Sequence, residues 1–278
     1  MNKILCSTGA LIGRPNNRNI YLLEDLVPQL KCDGLEFMLY SDWYEKVDEV
    51  TEFLKSLPCE IPVMHCQKTI GELITTCDDD EALRKFEINV QIAERIGAKA
   101  MVMHLWNGMV SDSNFTHSIE MYPKLRAICE EHGVDFLVEN VLCNVESPMK
   151  RWMELYEAYP DVHFIFDTKM AQFHDELKLL YEPEYAFLYK DKHIRHYHVN
   201  DYGGGYMTWN DLRVLPIGAG KIDFNPFFDL IKKIGYDGTM TVEATAFLKD
   251  GSVNVEMLNK CFEDIRAFLR CKAKEINT

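Results

Sequence analysis

The chain has 278 residues, 47% of them hydrophobic, with 44 acidic against 30 basic side chains and a net charge of −14. That length fits one or two domains. The charge disfavours nucleic acid as a partner, because an acidic surface repels phosphate and no Lys/Arg run offers a basic groove.

Eight short apolar runs read as strands, with helical periodicity between them. Lys3–Thr8 is the first strand, and a helical pattern follows from Tyr21 to Leu30. Gly34–Tyr40 is the second, followed by a face of Val47, Val50, Phe53, Leu54 and Leu57 that Pro58 ends. Ile61–Cys66 precedes a helix over Leu83 to Ile96 with Gly97 as its stop. Lys99–Trp106 precedes a helix from Ile119 to His132, and Val134–Val141 one from Trp152 to Tyr159. Val162–Thr168 leads to a helix over Leu177 to Lys192, and Ile194–Asp201 to an irregular stretch from Tyr202 to Asn225. A helix over Phe227 to Ile234, the strand Gly238–Ala244 and a helix from Val255 to Leu269 complete the pattern. Runs such as Ala100-Met101-Val102-Met103 are continuous rather than alternating, as parallel strands covered on both faces require. Strand and helix alternate about eight times, which predicts a single (β/α)8 barrel over residues 1–278, with a polar tail from about 272.

Nine cysteines, with no C-x-x-C pair, read as free thiols of a reducing cytoplasm. The apolar start is too short for a signal peptide, and no run of about 18 apolar residues predicts a membrane span. A cytoplasmic protein is expected. Aromatics in Tyr181-Glu182-Pro183-Glu184-Tyr185, if exposed, fit a homo-oligomer interface.

Four polar residues stand at strand ends: Glu139, Asp167, His198 and Glu243. A parallel barrel builds its site from such ends. Two Glu, one Asp and one His make a hard, mostly oxygen donor set for one divalent cation, with Mn2+, Mg2+, Co2+ and Zn2+ all acceptable. Four protein ligands leave two positions for adjacent oxygens of a hydroxy-carbonyl compound. The ion then stabilises an enediolate, and Glu139 and Glu243 are the candidate proton-transfer pair. The other reading of these residues is that they merely end strands at the surface.

These residues, with Leu35-Glu36-Phe37, His65, His104 and Pro216-Ile217-Gly218-Ala219-Gly220-Lys221, resemble the xylose isomerase-like barrel superfamily. That superfamily holds sugar isomerases and epimerases, inosose-processing enzymes and endonuclease IV. The resemblance covers nearly the whole chain. It implies a metal-dependent isomerase or epimerase of a sugar, keto-sugar or cyclitol. The alternatives are a dehydratase of an inosose or dehydroshikimate-like compound, a DNA-repair endonuclease, and a non-catalytic sugar-binding protein. Endonuclease IV carries a ligating His three residues after the strand-six Asp, where this chain has Met170, and an Asp and His after strand seven that Leu212-Arg213-Val214-Leu215 does not supply. A trinuclear site is therefore not expected. His65 and His104, whose counterparts there bind a second zinc, are expected to contact substrate hydroxyls, with a structural role as the alternative. Lys169 is a candidate contact for an oxygen-rich substrate, or else a salt-bridge partner. Trp106, with Trp209, Tyr202 and Phe247 behind it, is a candidate pocket wall or a packing residue. Glu36 is expected to pair with a buried Lys or Arg in preference to orienting a His, and His174 to lie at the surface.

Overall fold

A computed structural model of the protein describes residues 2–271. The tail expected from about residue 272 lies outside the described residues. All eight apolar runs form strands: β1 Lys3–Ser7, β2 Gly34–Met38, β3 Val63–His65, β4 Ala100–Met103, β5 Asp135–Glu139, β6 His163–Asp167, β7 Ile194–His198 and β8 Thr239–Val242. Each pairs in parallel with the next, and β8 returns to β1 through Lys3 opposite Thr239 and Cys6 opposite Val242, closing a single barrel. All eight strands stop short of the apolar runs at their C-terminal ends. There, backbone hydrogen bonding passes from the neighbouring strand to side chains: Asn140 Oδ1 accepts from the Asp167 N–H, and Asn200 Oδ1 from the Glu243 N–H.

The helices among the described residues are α1 Leu22–Leu26, α2 Val47–Ser56, α3 Ile70–Thr75, α4 Asp79–Ile96, α5 Phe115–Glu131, α6 Pro148–Ala158, α7 Thr168–Phe173, α8 Phe187–Lys190, α9 Phe224–Lys233 and α10 Val255–Arg270. α4 opens on Asp79, Asp80 and Glu81, which suit the positive end of the helix dipole, and ends at Gly97 with φ +80°, a left-handed cap. The helix expected over Leu177 to Lys192 is broken. Leu177–Tyr181 and Pro183–Tyr185 are single 3-10 turns, and only Phe187–Lys190 is α-helical. Pro183 is the cause: it lacks an N–H and pushes Glu182 to extended backbone (φ −74°, ψ 141°). Tyr181 and Tyr185 are half-buried against the core, not exposed.

Side chains along a strand alternate between the barrel interior and the helices outside. Leu5, Val63, Val102, Leu137 and Ile165 pack together as an apolar floor inside the barrel. Two residues further along their own chains stand His65, His104, Glu139 and Asp167. One layer up from an apolar floor is therefore a polar layer, and that spacing aims the site residues inward. On the β7–β8–β2 side the lower layer is polar as well, built from His196, Thr241 and Glu36.

The long connection after β7 is clipped into two parts. Asp201 and Leu215 exchange backbone hydrogen bonds of 2.9 and 3.2 Å. The buried Asp201 carboxylate also accepts from the backbone N–H groups of Tyr202, Gly218, Gly220 and Ile222 at 2.8–3.1 Å. A Cβ at Gly220 would overlap that carboxylate, so the close approach explains this glycine. Gly204, within the triple glycine, lies against the Tyr202 hydroxyl group and not against an open site.

Candidate active site and metal centre

Glu139 ends β5, Asp167 ends β6, His198 ends β7, and Glu243 directly follows β8. One ligand atom from each lies within 4.8 Å of all the others. His198 Nδ1 is 3.3 Å from Glu139 Oε1, 3.3 Å from Glu243 Oε2 and 3.9 Å from Asp167 Oδ2. Glu139, Asp167 and His198 are buried, while the Glu243 side chain keeps 10% of its surface open. Asp167 divides its work: Oδ1 caps α7 by accepting the N–H groups of Lys169 and Met170, which leaves Oδ2 facing the cluster.

Three carboxylates around one imidazole leave an excess of buried negative charge, which a cation would offset. Burial, reinforced by Glu139 and Glu243 and only partly countered by Lys169, pushes Asp167 up to about 6. Burial works against a charge on His198, but Glu243, Glu36 and Glu139 together hold its pKa well above the usual range. Burial also works against a charge on Glu139, and the charged His198 beside it more than offsets that, holding the carboxyl below its ordinary value.

A carboxylate behind the cluster orients its histidine. His198 Nε2 lies 3.0 Å from Glu36 Oε1, and His196 Nε2 lies 2.9 Å from Glu36 Oε2. Thr241 donates its hydroxyl to the same Oε2 at 2.7 Å. With Nε2–H turned to Glu36, His198 presents Nδ1 to the cluster, the arrangement that fixes tautomer and ring orientation in metal sites. The expectation that Glu36 pairs with a buried Lys or Arg is thus corrected: its partners are two histidines and a threonine. Glu36 is fully buried. Burial raises its pKa, and the two histidines more than reverse that.

Asn140 and Asn200, which sequence reasoning did not single out, brace the ligands. Asn140 holds both backbone polar groups of Asp167, and Asn200 Nδ2 lies 3.3 Å from Asp167 Oδ2 and from Glu243 Oε2. The available signal was position. Asn140 directly follows Glu139, Asn200 lies two residues past His198, and His196 lies two before it, on the same inward face.

His65 and His104 meet the opposite side of Glu139. Their Nε2 atoms are 3.3 and 2.8 Å from Glu139 Oε2, yet none of the three atoms makes a hydrogen bond. The partners of Nδ1 explain this. His65 Nδ1 is 2.7 Å from the Cys66 carbonyl, which can only accept. His104 Nδ1 is 3.0 Å from Asn107 Oδ1, whose amide is turned to Glu72. Both rings therefore carry the proton on Nδ1 and aim an Nε2 lone pair at a carboxylate oxygen. Burial, partly offset by Glu139, pushes His104 down to about 4, so it is neutral near pH 7. Three lone pairs converging without a hydrogen suit a cation or a donated hydroxyl.

Lys169 is buried beside Asp167 and makes no ion pair among the described residues, so its ammonium is not consumed by Glu139. Trp106 has no accessible surface. Its indole N–H donates to the Leu142 carbonyl at 3.0 Å, and its ring packs edge-on against Phe115. Its place is therefore in the packing behind the site, which corrects its candidacy as a pocket wall. His174 is buried as well, its Nε2 accepting the Cys143 N–H at 3.2 Å, which corrects the surface expectation. A cleft of about 750 Å³ opens beside the cluster, lined by His104, Asn107, Met109, Leu142, Met170 and Trp209 among others. A second cavity, about 830 Å³, lies at the other end of the barrel between α8 and α9, away from these ligands.

Comparison with curated proteins finds no match. Comparison with solved structures finds the same fold many times at low identity. A D-allulose 3-epimerase from Methylomonas sp. superposes with a TM-score of 0.67 at 15% identity, over 96% of this chain and 98% of that one. The IolI protein with a bound zinc atom gives 0.68 at 17% identity, over 96% and 98%. The 3-keto-D-glucoside 4-epimerase YcjR from E. coli gives 0.64 at 14%, over 96% and 100%. A family model matches residues 25–259, most of the chain. The chain belongs to the xylose isomerase-like TIM barrel family.

Proposed function

We propose that the protein is a divalent-metal-dependent epimerase or isomerase of a sugar, keto-sugar or cyclitol, working by proton transfer at the carbon next to a carbonyl. The observation that carries this reading is the convergence of Glu139, Asp167, His198 and Glu243 within 4.8 Å, backed by a carboxylate that orients the histidine. The structural relatives described as D-allulose 3-epimerase, one of them in complex with D-allulose, support a sugar as substrate, and the zinc of IolI supports a metal.

The donor set fits a cation. It is buried and rich in carboxylate, and its histidine is oriented through the nitrogen that faces away. When bound, the ion supplies Lewis acidity to adjacent substrate oxygens. The chain's own residues do the rest. Glu139 and Glu243 come from strands three apart around the barrel, so their carboxylates can serve opposite faces of one carbon, one taking a proton and the other returning it. Glu243 is the more open of the two. His65 and His104, with free Nε2 lone pairs, accept from substrate hydroxyls, and the Lys169 ammonium donates to a substrate oxygen.

The test is turnover of D-allulose, D-tagatose and an inosose in D2O with Mn2+, Mg2+, Co2+ or Zn2+ added. Deuterium at the carbon next to the carbonyl with mass otherwise conserved supports the reading. Loss of one water identifies a dehydratase instead. Turnover without deuterium points to a hydride shift, and the two-carboxylate mechanism is then wrong.

A further inference from the structure

Six large hydrophobic side chains are exposed among the described residues: Tyr21, Met109, Val145, Tyr206, Trp209 and Leu248. All six stand in loops that leave the C-terminal ends of strands, on the face that holds the metal-ligand cluster. None stands at the other end of the barrel. Isolated exposed hydrophobics need no explanation, but their confinement to one face does.

The cleft beside the cluster carries this apolar rim inward. Its walls are Met109, Val141, Leu142, Met170 and Trp209, against the polar His104, Asn107 and Asn144. Its volume, about 750 Å³, lies high in the range of roughly 300–1,000 Å³ that suits drug-sized ligands. A six-carbon sugar leaves much of it empty, and such a sugar, with a hydroxyl on nearly every carbon, finds few partners on these walls. The cleft is continuous with the candidate active site: His104 lines it and touches Glu139, and the Met170 N–H binds Asp167.

The apolar rim is also fixed in place. The Trp209 ring packs edge-on against Phe173 at 5.0 Å, and its loop is pinned where the Tyr202 hydroxyl meets the Gly205 and Thr208 carbonyls. Asn144 Nδ2 donates to the Met109 carbonyl, tying the loop after β5 to the loop after β4. A rigid aromatic wall lowers the ordering cost of binding.

We propose that the substrate is a hydroxy-carbonyl sugar bearing a bulky, largely apolar substituent, an aryl glycoside in kind, whose substituent lies in the cleft between the loops after β4, β5, β6 and β7. This rests on the reading of the cluster as a sugar-enzyme site and narrows its substrate class. Met109 and Trp209 hold the substituent, while the sugar reaches His104 and the carboxylates.

The test is calorimetric titration of the full-length, Mn2+-loaded protein with the 3-keto derivatives of phenyl and methyl β-D-glucopyranoside, hydroxy-carbonyl sugars that differ only in the substituent. Burying a phenyl ring against Trp209 and Met109 predicts that the phenyl glycoside binds at least about tenfold more tightly. Trp209→Ala and Met109→Ser should each shrink that advantage while leaving thermal unfolding near that of the parent. Equal binding of the two glycosides, an advantage that survives both substitutions, or no binding of either overturns the proposal. So does light scattering that shows a dimer which Trp209→Ala turns into a monomer, because the rim is then an interface between copies. The readout is the ratio of two affinities, so deuterium exchange on D-allulose fails or succeeds separately and tests the sugar-enzyme reading itself.

Discussion

Replacing Glu36 separates metal affinity from fold. Glu36→Gln keeps the side-chain size and one acceptor oxygen, but removes the charge that holds two histidines and the Thr241 hydroxyl. His198 then loses the anchor that turns Nδ1 toward Glu139, Asp167 and Glu243. Loss of such an outer partner typically weakens metal binding about 10–100-fold, or roughly 1.4–2.7 kcal/mol. Glu36→Ala is harsher: His196 Nε2, His198 Nε2 and Thr241 Oγ1 lose a common partner in a fully buried place. Removing one member of a buried charged group costs about 3–5 kcal/mol of unfolding free energy. Competition titration of Mn2+ against a fluorescent chelator measures the first effect, and urea unfolding of the metal-free protein the second. An intact Glu36→Gln protein with metal affinity within about twofold of the parent would refute the orienting role.

The remaining predictions concern the cluster itself. Asp167→Ala and His198→Ala should each lower metal content strongly with the circular dichroism spectrum kept; normal content in both by elemental analysis overturns the ligand assignment. Glu139→Gln and Glu243→Gln keep an oxygen but remove a base, so turnover should fall by at least about a hundredfold while some metal remains; near-parental rates would exclude the pair. Without an ion, His198 is held protonated near neutral pH, and Asp167, raised to about 6, takes up a proton as pH falls through that value. Metal must displace these protons, so binding should release about one proton near pH 7 and more below pH 6, with affinity falling as pH drops. Calorimetry in buffers of different ionisation heat counts the protons, and no release at either pH contradicts the scheme. Titration to saturation counts ions: one ion leaves His65 and His104 to the substrate, whereas a second that His65→Ala abolishes reassigns them as ligands.

The barrel was legible because its strands are short apolar runs separated by helical patterns with clear stops, and backbone chemistry reads those signals locally. The convergence of Glu139, Asp167, His198 and Glu243 followed from the same logic, since every strand end points to one mouth. What stayed hidden was non-local. The partners of Glu36 lie 160 and 162 residues away, and no local pattern announces that its charge meets His196 and His198. Trp106 stands two residues past His104, but the turn after β4 carries it into the core, with its N–H satisfied there. The broken helix after β6 was a local miss: Pro183 was visible, and helical periodicity on either side masked it. α7 was missed because its cap, Asp167, was read only as a metal ligand.

The clip between Asp201 and Leu215 makes the chain from 202 to 214 a closed excursion whose two ends are held together by backbone pairing. Lengthening such a loop costs little, because closure entropy rises only with the logarithm of its length. The excursion carries Tyr206 and Trp209, while His198 lies before the clip and Glu243 lies beyond α9. Natural drift or loop grafting can therefore rewrite this part of the mouth without disturbing the register of β7 or the ligands. Homologous barrels that keep the clip are suitable donors for exchanging the 202–214 segment, and metal content should survive the swap even where substrate preference changes.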